Sequence, residues 1–139
     1  MLLDTNIRAL RRHYRFDSAE EAKLFLAAIA RRSEPGMATA VALDHRRRLL
    51  EFRPVADGAE HLPDVLLFMA FCGRRGTRSL FLVTDRTGEV PADRPDDELQ
   101  WEELVGLARS LRLQLLDWWV TVDQQAFSIA EFAPTPAGW

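Results

Sequence analysis

The amino-acid sequence predicts a single α/β (α+β) domain in which a mixed β-sheet is layered with helices, in the order α-β-β-α-β-α-β-β. Three observations lead there. A chain of 139 residues, 47% hydrophobic and 28% charged, can bury one core of ordinary size. Three segments carry apolar residues at helical spacing. The segments between them are short apolar runs bounded by turn residues, as strands covered by neighbouring layers are. No repeat or long linker divides the chain, so the expected domain spans 18–132. A basic arm or short helix, 1–17, precedes it and a tail, 133–139, follows.

The arm carries Arg8, Arg11, Arg12, His13 and Arg15. The first clear helix starts near Ser18, which stands at capping-box spacing from Glu21. Ala22, Phe25, Leu26 and Ile29 form its apolar stripe. Arg31 and Arg32 fall where cations complement the helix dipole, and Pro35-Gly36 ends it. Met37 to Leu43 reads as a buried strand, Asp44 to Arg47 as a turn, and Arg48 to Val55 as the returning strand. A second helix follows with Pro63 in its first turn and a stripe of Leu62, Val65, Leu66 and Met69. Ser79 to Val83 is a core strand. Pro95 opens a third helix whose first turn holds Asp96, Asp97 and Glu98 and whose apolar face is Trp101, Leu104, Val105 and Ala108. Leu113 to Val122 and Ala126 to Phe132 are the closing strands, joined by a turn at Asp123 to Gln125. The two-proline tail is expected to be irregular.

Charge and composition exclude several classes. Net charge is −3, so the molecule as a whole is not a polycation. Lys23 is the only lysine, and the remaining cations are arginines. Cys72, the only cysteine, excludes an intramolecular disulfide or a cysteine zinc cluster within one chain. It sits in an apolar run, where a small buried thiol is expected. No segment has the apolar length of a membrane span, and Met1-Leu2-Leu3-Asp4 lacks the order of a secretory signal. The expected address is cytoplasmic.

Two stretches resemble a known family. Leu115-Leu116-Asp117-Trp118-Trp119-Val120-Thr121-Val122, followed by a turn and Ala126-Phe127-Ser128-Ile129-Ala130-Glu131, is similar to the closing hairpin of RadC-like proteins. There a Leu-Asp-His strand precedes a Ser-Phe-x-Glu strand; here Trp118 stands in place of the His. Ala40 to Leu50 resembles that family's first hairpin, with its Leu-Asp turn. The resemblance covers Ser18 to Phe132 and implies a JAB/MPN-like (cytidine-deaminase-like) domain.

In that family zinc is held by a His-x-His after the central strand and by a later Asp, with an upstream Glu as base. The set is chemically sensible, because neutral imidazoles and a carboxylate ligate zinc while the base deprotonates its water. Carried onto this chain, Thr84 and Arg86 stand in the two His positions and Leu99 in that of the Asp. Gly36 falls where the Glu should be, with Glu34 the nearest carboxylate. A guanidinium cannot deprotonate to bind metal. The resemblance therefore implies a retained frame without its chemistry: no catalytic residue, no metal ligand, no cofactor, and a remnant cleft at Thr84, Asp85, Arg86 and Asp117. Within it the Arg86 guanidinium is expected in the former metal position, neutralising Asp117 or Asp96, with an exposed loop arginine as the alternative.

Other constellations carry less. His13, His45 and His61 share no metal spacing. Gly73-Arg74-Arg75-Gly76 lacks the length and the lysine of a phosphate loop. Basic groups at 11–15, 46–48 and 74–78 form an Arg-rich face if they adjoin, but only Tyr14 interleaves with them, so a single-strand stacking platform is not indicated. Trp118 and Trp119 must point to opposite sheet faces. Together with Trp139, which has no obvious core to join, they mark a possible interface with a protein partner or a second copy; a tail folded back on its own domain is the other explanation for Trp139. Three functions follow from these readings. They are a catalytically silent RadC/JAB-like binding or structural module, a metal-independent hydrolase rebuilt around Asp85, Arg86 and Asp117, and a DNA-associated accessory factor.

Overall fold

The computed structural model describes residues 15–31, 33–91 and 94–139. The basic arm up to Tyr14, and with it His13, lies outside the described residues, as does Arg32. Among the described residues the chain folds as α1 (Ala19–Ala30), β1 (Ala38–Leu43), β2 (Leu49–Val55), α2 (Leu62–Cys72), β3 (Ser79–Arg86), α3 (Asp96–Ser110), β4 (Gln114–Val122) and β5 (Gln125–Ser128). The result is a mixed α+β domain with three helices and one five-stranded sheet, ordered β2-β1-β3-β4-β5. β1 runs antiparallel to both β2 and β3, β3 and β4 are parallel, and β4 and β5 form an antiparallel hairpin. Helix α3 provides the crossover that a parallel pair requires.

Each helix buries the stripe its sequence marks. On α1 these are Ala22, Phe25, Leu26 and Ile29, and on α2 Leu62, Val65, Leu66 and Met69. On α3 the stripe is Trp101, Leu104 and Ala108, joined by Asp97, while the expected Val105 is only partly buried. The Ser18 hydroxyl caps α1 by accepting from the Glu21 N–H, while the Glu21 carboxylate reaches back to the Asp17 N–H at 3.0 Å.

The sheet separates two apolar layers. On one side α2 and α3 cover Ala40, Leu80, Leu82, Trp118 and Val120. On the other, α1 and Phe16 cover Val41, Phe81, Val83, Leu116 and Trp119. Trp118 and Trp119 thus enter opposite layers of their own domain. Between them the β3–β4 pairing contains a bulge: Leu80 pairs with Leu115 but Phe81 with Asp117, leaving Leu116 as the extra residue. That shift resets the alternation and sends Asp117 to the Phe81 side of the sheet.

Several expectations are corrected. β4 begins at Gln114, and β5 ends at Ser128 because Ile129–Phe132 turns into a 3-10 helix. Cys72 is exposed rather than buried, since α2 outruns its buried stripe by one turn beyond Met69. The tail is irregular but fastened. Gly138 N–H donates to Leu116 O at 2.8 Å, and Trp101 Nε1 donates to Thr135 O at 2.8 Å. Trp139 folds back over Phe81, with ring centroids 5.6 Å apart. The indole that has no obvious core in the sequence finds one here.

Arginines are concentrated at one end of the sheet, where Asp17 and Asp44 pair with two of them. The β1–β2 turn, the loop before β3 and the residues before β4 share one end of the sheet, because Arg78 N–H bonds Leu43 O at 2.9 Å and Gln114 N–H bonds Arg78 O at 3.0 Å. That end gathers Arg15, Arg46, Arg47, Arg48, Arg74, Arg75, Arg78 and Arg112. Among the described residues Arg46, Arg74, Arg75, Arg78 and Arg112 take part in no ion pair. Asp85 and the acidic first turn of α3 lie at the other end.

Candidate functional site

A cleft of 430 Å³ opens where β3 ends and α3 begins. In open sheets this is the side, beyond the carboxyl ends of parallel strands and at a helix N-terminus, where ligands are most often held. Pro35, Gly36, Glu60, Thr84, Asp85, Arg86, Arg94, Asp97, Gln100 and Trp118 are among its lining residues. Gly36 is drawn in by its N–H, which donates to Asp85 O at 2.9 Å.

The polar groups at the cleft are engaged with one another. The Thr84 hydroxyl accepts the Trp118 indole N–H at 2.9 Å. Thr121 Oγ1 donates to Asp85 Oδ1 at 2.7 Å. Arg86 Nη2 donates to Asp97 Oδ2 at 2.8 Å, and both side chains are largely shielded, 13% and 4% exposed. Arg94 adds a second, longer approach to Asp97 at 3.9 Å. One guanidinium nitrogen, Arg86 Nη1, is buried without a partner. Three carboxylates (Glu60, Asp85, Asp97) and two guanidiniums (Arg86, Arg94) line the space.

Thr84, Asp85 and Arg86 therefore come together, while Asp117 does not join them. The bulge at Leu116 places its carboxylate across the sheet, where it is 1% exposed. There Asp117 Oδ1 accepts from Ser128 Oγ at 2.7 Å and from the Trp118 N–H at 2.9 Å. Its Oδ2 accepts from Trp139 Nε1 at 2.9 Å. Burial pushes the Asp117 carboxyl above its ordinary pKa, against the pull of these donors and with help from nearby Glu131. Arg86 pairs with neither Asp117 nor Asp96. Asp96 is exposed at the start of α3, whereas Asp97 lies on the inward stripe of Trp101, Leu104 and Ala108 and meets the guanidinium there.

The donors do not fit a zinc site of the JAB type. Arg86 is a fixed cation already held by a carboxylate, Thr84 is bonded to an indole, Leu99 is 66% exposed, and Glu34 is exposed while Pro35 and Gly36 take the cleft wall. Among the described residues no group of three His, Cys, Asp or Glu side chains converges as a metal site would require. No helix among them is long and apolar enough to cross a membrane.

Sequence reasoning missed Asp97, Arg94, Gln100 and Glu60. For Asp97 the signal was present: extending the α3 stripe backwards from Trp101 by four residues lands on it. Compared with known proteins, the chain matches no family model and no curated protein.

Proposed function

We propose that the chain is a catalytically silent RadC/JAB-like domain that serves as a protein-binding or structural module. The observation that carries this reading is that the polar groups at the end of β3 are engaged, Thr84 with Trp118, Asp85 with Thr121 and Arg86 with Asp97, with Arg86 Nη1 left as a buried donor without a partner. A metal-dependent hydrolytic centre needs converging imidazole or carboxylate ligands and a base beside the activated water, and no such group of three converges among the described residues. Here the carboxylates at the end of β3 and the start of α3 already hold partners. The Arg86 guanidinium, compensated by Asp97, also stands beside the end of the central strand, where the resemblance puts a metal. The same engagement weighs against a metal-independent hydrolase built on Asp85 and Arg86, and Asp117 is on the far side of the sheet. Elemental analysis of purified, chelator-free protein tests the reading. Less than about 0.1 metal per chain is expected on the donor chemistry; stoichiometric zinc would overturn it.

The arginine-rich end of the sheet favours a second reading, a DNA-associated accessory role. That concentration leaves a cationic pole on a molecule whose net charge is −3, so overall acidity does not oppose phosphate contact. Arg74 and Arg75 follow the C-terminus of α2 and Arg112 that of α3, where cations also complement the helix dipoles. Retention on duplex DNA that collapses as salt rises supports this role; absence of retention at low salt removes it.

A further inference from the structure

With all three candidate interface tryptophans packed in their own domain, the exposed apolar surface of the described residues lies elsewhere, chiefly on the outer face of α2. Leu67, Phe68 and Phe71 are 37%, 40% and 77% exposed. They follow one another at one- and three-residue steps, on the side opposite the buried stripe. Beside Phe68 an apolar groove of 370 Å³ runs between α2 and the edge strand β2, lined by Pro54, Val55, Asp64, Val65 and Phe68. Arg53 lies over the Phe68 ring at 5.0 Å and flanks the groove on the strand side.

The ends of this face differ in charge. Asp64 stands in the first turn of α2, and Arg74 and Arg75 just beyond its C-terminal end. Arg74 and Arg75 are exposed and take part in no ion pair among the described residues. Such a surface is complementary to itself when reversed. Two copies of an 11-residue helix, packed antiparallel by their outer faces about a twofold axis at the level of the Met69–Ala70 step, set Phe68 of one protomer opposite Phe71 of the other. Asp64 then approaches Arg75 of the other protomer. Phe71 of each protomer arrives at the mouth of the other's groove. A twofold interface requires this kind of self-complementarity, in which every contact occurs twice.

We infer that the outer face of α2 is a homodimer interface, formed by antiparallel packing of α2 against the α2 of a second copy of this chain. The inference rests on the reading of the domain as a binding module and names its partner. Charge complementarity chooses the occupant: a partner of single-sign charge would meet repulsion at one end of the helix, whereas a reversed copy meets attraction at both. One helix and the adjoining groove make a small interface, at the low end of the range for specific association. Dissociation in the micromolar range follows.

Sedimentation of the full chain across about 1–300 µM, a span centred on that affinity range, tests the interface. A monomer–dimer equilibrium is expected. Phe71→Glu should weaken it by about 100-fold, as removal of a central aromatic anchor does. Asp64→Arg and Arg75→Asp should each weaken it by about five-fold and together restore it. All three positions are exposed, so near-UV circular dichroism should stay unchanged and certify the fold. A monomer at every concentration overturns the inference, as does a dimer indifferent to Phe71→Glu. A dimer that Phe71→Glu dissolves but the charge exchange does not restore rejects the antiparallel arrangement. The outcomes are separable from those for the cleft: a metal-free monomer refutes the interface alone, and a zinc-loaded dimer refutes the silent cleft alone.

Discussion

Replacing Trp139 by Phe removes the indole N–H donor, with the ring that carries it, from the far side of the sheet while keeping a smaller aromatic ring over Phe81. The indole N–H donates to Asp117 Oδ2 at 2.9 Å, and Asp117 is 1% exposed. The other donors, Ser128 Oγ and the Trp118 N–H, both serve Oδ1. Trp139→Phe therefore leaves Oδ2 buried without a donor. A hydrogen bond to a charged group contributes about 1.5–3 kcal/mol, and one to a neutral group about 0.5–1.5 kcal/mol. Which figure applies depends on pH. Burial raises the Asp117 pKa in the folded state, so the folded protein binds this proton more tightly than the unfolded chain does. The stability this group contributes is full below the unfolded pKa and is lost as pH rises through the folded value. The indole bond favours the anion, so removing it raises the folded pKa further, and the cost of the substitution grows with pH. Urea unfolding of both proteins across a pH series at fixed salt should show a loss that grows with pH, from about 1 kcal/mol where Asp117 is protonated towards about 2–3 kcal/mol where it is ionised. Equal losses across the series, or a loss under about 0.5 kcal/mol at its upper end, a surface-like effect, would refute the reasoning.

Arg86→Met leaves Asp97 shielded with only the distant Arg94, and should cost about 3 kcal/mol in urea unfolding, the scale of a broken buried pair; adding Asp97→Asn should recover more than half, and no recovery would show that the pair is not the cause. Gly73→Ala brings a Cβ to 2.2 Å from the Met69 carbonyl oxygen at the end of α2. It should destabilise by about 2–3 kcal/mol, with a change under half of that pointing to a helix end that yields. The β4–β5 turn places both Asp123 and Gln124 at positive φ, 50° and 68°, which glycine tolerates better. Gln124→Gly should therefore raise stability by about 0.5 kcal/mol, read as a higher urea midpoint with an unchanged slope.

The helices were legible because each presents its inward residues every three or four positions, and the structure buries those residues. The phase of β4 was not. Leu115-Leu116-Asp117-Trp118-Trp119 alternates neither in polarity nor in size, so nothing in it betrays the extra residue at Leu116. One unrecognised bulge moves Asp117 from the cleft to the opposite layer. On α2 periodicity marked the buried stripe, but the apolar residues left over, Leu67, Phe68 and Phe71, were passed by although they form the exposed face. The tail was unreadable because its attachments join residues far apart in sequence, such as Trp101 with Thr135 and Asp117 with Trp139. Asp97 was legible and overlooked, since an acid in a first turn has a ready explanation in the helix dipole that conceals its place on the stripe.

Arg47 is grasped from both directions of the chain: its carbonyl receives the Phe16 N–H at 2.9 Å, and its guanidinium donates to Gly138 O at 2.9 Å. The layer beneath α1 is consequently closed by residues more than a hundred positions apart. During synthesis, β1, β2 and β3 emerge early enough to pair, but Phe81 keeps part of its surface bare until residue 139 has been made. Closures across such separations are entropically slow. One side of the sheet can be packed by α2 and α3 and most of the other by α1 and Phe16, yet the part of Phe81 beneath Trp139 stays open until the tail closes over it.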